Sequence, residues 1–139
     1  MTMADPGGHL VSRYLAEAVE TATPAVRLAM LFDRLELDLR RANDGFESGD
    51  LKLINDNLVH AQEILFILRV TLRCDLWDGA ERLSALYEFL HNELLHANLA
   101  KDRARMATAS AMIAELAATW RRAAAVAVEA PEQERAHSQ

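Results

Sequence analysis

The apolar residues between Leu51 and Leu72 constrain this chain more than any other feature of it. Leu51, Ile54, Leu58, Ala61, Leu65, Leu68 and Leu72 recur at alternating steps of three and four, which on a helix draws one core-facing stripe. Ile64, Phe66, Ile67 and Val70 fall beside that stripe and leave the second half of the segment apolar nearly all the way round. Such a helix either lies at the centre of a large core or carries a second apolar face that something else covers. At 139 residues the chain is short for the first arrangement. The second face is therefore a candidate binding surface.

Other segments repeat the helical pattern. Residues 1–8 are polar and punctuated by glycine and proline, and are expected to be mobile. Leu10, Val11, Tyr14, Leu15, Ala18 and Val19 make a short amphipathic segment within residues 9–20, marginal as an isolated helix. Thr23 as N-cap and Pro24 at the first helical position open a helix from Pro24 to about Asp44, with Leu28, Leu31, Leu35, Leu39, Ala42 and Phe46 on its face. Turn formers follow, and Asp50 caps the next helix, predicted from Leu51 to Arg73. Asp78 with Glu81 has capping-box spacing and opens a third helix, Gly79 to about Ala97, with Leu83, Leu86, Leu90 and Leu94 on its stripe, Tyr87 beside it and Asn98 closing it. A fourth runs from about Lys101 to Val128 through Met106, Ala109, Ile113, Leu116, Trp120, Ala123 and Ala127, with Pro131 ending it.

Four long amphipathic helices joined by short turns predict an all-α, antiparallel up-down-up-down four-helix bundle over residues 21–130. A short N-terminal amphipathic cap precedes it, and residues 131–139 read as a disordered tail.

The totals narrow the function. A net charge of −6 and a pI near 5.3 argue against nucleic acid as a partner, because phosphate affinity needs clustered Lys and Arg. The one cysteine, Cys74, has no internal disulfide partner. No apolar run approaches the roughly 20 residues of a membrane span, and the N-terminus lacks a signal-peptide core, so a soluble cytoplasmic protein is expected.

A di-metal site is the obvious enzymatic option for a helical bundle, and the third helix offers Glu88 with His91 and Glu93 with His96. Both pairs share one helix, and Glu88 and Glu93 stand about 140° apart around its axis. The fourth helix adds only Glu115 and Glu129 beyond its first turn, and no histidine. Neither a phosphate loop nor a nucleophile elbow occurs. The chain reads as a non-enzyme that requires no metal or other cofactor.

What remains is apolar surplus. Val59, Ile64, Phe66, Ile67 and Val70 on the second helix, with Ala85 and Phe89 on the third, exceed what a single central seam requires. Neighbouring helices could bury any one of them. As a set they suit a groove for an amphipathic partner helix, with Leu10, Val11, Tyr14 and Leu15 as a displaceable cap over it. Thr23, Pro24, Leu86, Tyr87 and Trp120 read as architecture.

Several short motifs point to one family. Val-Glu-Thr-Ala-Thr-Pro at 19–24 resembles the Val-x-Thr-Ala-(Ser/Thr)-Pro opening of the FliS family of flagellar export chaperones. Met-Leu-Phe-Asp at 30–33, Glu-Ser-Gly-Asp at 47–50, Ala-Gln at 61–62, Leu-Tyr-Glu-Phe at 86–89, Ala-Asn at 97–98, Asp102 and Trp120 are similar to that family's sequence in the same order. The likeness covers about Tyr14 to Ala125. Departures are Arg-Leu-Glu after Asp33, the Cys-Asp-Leu-Trp-Asp-Gly turn at 74–79, and a longer, less aromatic N-terminus.

The resemblance implies a cytoplasmic chaperone that binds the C-terminal segment of flagellin, prevents its premature polymerisation and presents it to the flagellar export apparatus. In that family the partner wraps over hydrophobic surface, and the chaperone's own N-terminal segment can occupy one such surface. A helical adaptor for another partner and a metal-binding bundle are the alternative readings. Monomer and homodimer are both compatible with the sequence.

Overall fold

A computed structural model describes residues 24–72 and 79–137, with side chains as far as 126. Among the described residues it is all-helical, without strands: α1 is Pro24–Ser48, α2 Leu51–Val70, α3 Ala80–Ala100 and α4 Arg103–His137. The chain's contacts group it into two units. One is Leu31–Ala117, and the described part of the other is residues 24–30 and 118–137.

Local chemistry explains the helix ends within the larger unit. Ser48 is the last helical residue of α1, and Gly49 follows in the left-handed region at φ +71°, a conformation that costs glycine little. Asp50 N–H then donates to Gly45 O at 2.9 Å, and the Asp50 carboxylate accepts from Leu53 N at 3.1 Å, capping α2 as its position in the sequence predicts. The other two-residue turn uses a lysine. Lys101 sits at φ 50°, and Asp102 N donates to Ala97 O at 2.8 Å, which satisfies a carbonyl left over at the end of α3. Asp102 in turn accepts from Arg105 N at 3.1 Å and opens α4.

Several boundaries differ from the sequence reading. Phe46 and Ser48 are still helical because Gly45 is accommodated inside α1 rather than ending it. Asn98 does not close α3. It is buried and donates to Asn55 Oδ1 at 2.9 Å, so its side chain is used to join α3 to α2 while the helix runs on to Ala100. Gly79 is the residue before α3, without a side-chain cap, and Asp78 lies outside the described residues, as do Thr23 and Cys74. Pro131 does not stop α4, which continues to His137. Proline's fixed φ is compatible with a helix, and its cost is chiefly one lost hydrogen bond and a clash that a bend can relieve.

Each helix of the Leu31–Ala117 unit supplies buried apolar side chains, including Phe32, Leu35 and Leu39 of α1, Tyr87, Leu90 and Leu94 of α3, and Met106 and Ile113 of α4. Phe32 and Tyr87 stack obliquely with ring centroids 6.4 Å apart, joining α1 to α3. Polar ties surround this core. Asp38, fully buried on α1, accepts from Arg34 Nε at 3.1 Å and lies 2.5 Å from His60 Nδ1 on α2. Arg103 reaches from α4 to Asn43 and Glu47 of α1, both at 3.0 Å. Arg105 grips Glu93 of α3 with two hydrogen bonds at 2.9 and 3.3 Å, which hold the Glu93 carboxyl below its ordinary range.

Gly45 of α1 lies close against the start of α2. A Cβ there would meet Ile54 Cγ1 at 2.8 Å and backbone atoms of Ile54 and Asp50 at 3.0 and 3.1 Å. Gly45→Ala should therefore lower unfolding free energy by about 1–3 kcal/mol in urea titration, although alanine is the better helix former. Glu93 gives a pH test. Because its folded-state pKa is lowered, the ion pair stabilises above the unfolded carboxyl range and that contribution is lost as pH falls through the folded value. Wild type and Glu93→Gln should differ in urea midpoint at neutral pH and converge in acid, once pH has fallen below the ordinary carboxylate range.

Candidate functional groove

The face of α2 that points away from the core is built by the same periodicity that builds the core. Ile54, Leu58, Ala61, Ile64, Leu65 and Leu68 are buried, and Val59, Phe66, Ile67 and Val70 lie on the other side of the helix, each 40–58% exposed. On α3, Ala85 is exposed and Phe89 is 49% exposed. Large apolar side chains left in water along one helix are the mark of an interaction surface rather than of a core.

Three of these residues line an open groove of about 570 Å³ with Gln62, Glu63 and His91, so α2 supplies most of the lining and α3 contributes His91. Its apolar surface comes from Val59, Phe66 and Ile67, spaced seven and one apart on α2. Gln62 is nine-tenths buried and donates to Leu58 O at 3.1 Å, so its amide is fixed to its own helix. Glu63 is exposed, and among the described residues its carboxylate has neither an ion-pair nor a hydrogen-bond partner.

The structure sorts the residues singled out from the sequence. Val59, Phe66 and Ile67 come together in the groove, whereas Val70, Ala85 and Phe89 are exposed outside its lining. Ile64 does not belong to the exposed face. It is only 4% exposed, because it falls one turn from Leu68 and three residues from Ala61 and so widens the core stripe. Leu51, placed on that stripe by its spacing, is 63% exposed at the first position of α2. Leu10, Val11, Tyr14 and Leu15 lie outside the described residues. Tyr87 is buried and Leu86 half-buried, and Trp120, in the smaller unit, is half-buried.

The polar members Gln62, Glu63 and His91 were missed by a reading that followed hydrophobicity alone. The signal for Gln62 and Glu63 was the flanking Val59 and Phe66, three or four residues away on the same face, whereas His91 comes from α3 and has no such signal. A second hollow, about 910 Å³, lies between α1 and α4. Its walls carry Glu36, Arg40, Arg41 and Asp44 opposite Ala107, Ser110, Ala111 and Ala114, and none of the large exposed apolar side chains lines it. Among the described residues no group of three or more His, Cys, Asp or Glu side chains could hold a metal ion.

The model of the family described as flagellar protein FliS matches residues 8–127, which includes all of α2 and α3. This chain belongs to the FliS family. It is also 28% identical over 110 residues to the flagellar secretion chaperone FliS of Bacillus subtilis (strain 168), covering 79% of this chain and 82% of that protein. These matches support a flagellar chaperone role for this FliS-family chain. No helix among the described residues is long and apolar enough to cross a membrane.

The division of α2 into two faces is directly testable. Ile64→Ala should cost about 2–5 kcal/mol of stability, as truncation of a buried isoleucine does. Ile67→Ala should stay within about 1 kcal/mol of wild type in the same denaturant titration.

Proposed function

We propose that this chain is a flagellar export chaperone that holds the C-terminal segment of flagellin against the outward face of α2, centred on the groove of Val59, Phe66 and Ile67. Holding that segment prevents premature polymerisation and allows delivery to the flagellar secretion apparatus. The observation that carries this reading is the row of large apolar side chains left exposed beside an open groove. Burying such surface is favourable by about 25 cal/mol per Å², so a partner segment with an apolar face gains by covering it. Family membership supports the flagellar setting, and the name of the Bacillus relative supports secretion.

The helices in this reading run up-down-up-down. The two-residue turns support that arrangement, as do the pairings of Gly45 with Ile54 and of Asp38 with His60, almost symmetric about the Gly49–Asp50 turn. Val70, Ala85 and Phe89 extend the bound surface beyond the groove, and Leu10, Val11, Tyr14 and Leu15 form a cap that the partner displaces. The protein acts in the cytoplasm without enzymatic activity or a cofactor.

Calorimetric titration with the C-terminal segment of the same organism's flagellin tests the proposal. One-to-one binding with a negative heat-capacity change is expected, with tighter binding by a chain truncated to begin at Ala18. Ile67→Asp should weaken binding at least about ten-fold while helicity by circular dichroism stays near wild type. Undiminished binding by Ile67→Asp would remove the groove from the mechanism, and absence of binding by the wild-type and truncated chains would leave a helical adaptor for another partner.

A further inference from the structure

We infer that Glu63 determines which segments the groove accepts, selecting a partner that presents a lysine or arginine in the middle of its apolar face. The inference rests on the groove being a partner site and adds the chemistry of its occupant. Glu63 stands four residues after Val59 and three and four before Phe66 and Ile67, so a segment laid across those apolar side chains passes over its carboxylate. In the free protein that carboxylate is exposed, and no partner for it exists among the described residues.

Covering the groove with an uninterrupted apolar face would strip water from Glu63 and return nothing, a cost that burial of the neighbouring apolar area would have to offset. A cation at that point replaces the lost water with a charge-assisted hydrogen bond. The surroundings favour the same sign. Gln62 donates one of its two amide N–H bonds to Leu58 O and adds a neutral amide to the lining, not a positive charge. On α3, exposed Glu88 is a further carboxylate, three residues before the lining residue His91. No Lys or Arg lines it: Lys52 is tied to Asp56, and Arg69, three residues beyond Phe66, lies outside the lining.

The test uses the full chain and two synthetic 18-residue amphipathic peptides that share one leucine stripe and differ only in a central lysine or glutamate. Wild type should bind the lysine peptide about ten-fold more tightly than the glutamate peptide, with a preference that shrinks as salt is added. The flagellin C-terminal segment should displace the lysine peptide. Glu63→Lys should reverse the preference, and Glu63→Gln, which keeps shape and removes charge, should bring the two peptides within about two-fold. Equal binding of both peptides by wild type, or a preference unchanged in Glu63→Lys, would overturn the role of Glu63 while the groove stood. Failure of both peptides and of the flagellin segment to bind would overturn the groove reading itself.

Discussion

Desolvation of one side of α2 is the interaction on which the larger unit depends. Ile54, Leu58, Ala61, Leu65 and Leu68 are almost completely withdrawn from water, and α3 packs beside them. Removing that much aliphatic surface from water is the kind of driving force that outweighs the entropy of ordering the helix. It also fixes the rotation of α2 about its axis. Once the stripe faces inward, Val59, Phe66, Ile67 and Val70 have no choice but to face out. The groove is thus a by-product of core packing in geometry, though not in composition: nothing about packing requires those outward positions to be large and apolar.

Polar groups set the register that apolar packing leaves loose. A leucine stripe can slide by a turn at modest cost, whereas buried Asp38 of α1 must find His60 of α2, and Asn98 of α3 must find Asn55 of α2. Leaving any of these groups buried and unpaired costs more than a made hydrogen bond gains, so they act chiefly against wrong alignments. The Gly45–Ile54 approach does the same by sterics. Together these contacts hold α1 against α2 and α2 against α3, and so bring His91 into a lining that both α2 and α3 contribute to.

Most of the helical layout was legible in the sequence because three-and-four spacing and the Gly49–Asp50 turn carry it locally. Where the reading missed, a tertiary or geometric detail decided the outcome. Ile64 looked surplus beside the Leu58–Leu65 stripe, yet the core takes a wider face than that stripe alone. Asn98 carries the chemistry of a helix end, and its burial against Asn55 depends on a residue 43 positions away. Lys101, not a glycine or asparagine, takes the left-handed position. The charge-bearing half of the groove was invisible for a different reason: a glutamate on a helix is ordinarily just solvated, and only its neighbours in space give Glu63 another role.

The interleaving of the two faces on α2 also decides how this helix can change over generations. Buried Leu65 is followed by exposed Phe66 and Ile67, then buried Leu68. Substitutions at 59, 63, 66 and 67 can drift with a changing partner while the fold is left alone. A single-residue insertion within that span would instead turn every later position by about 100°, exchanging outward side chains with inward ones. Partner choice in this helix can evolve by substitution and not by a change of length.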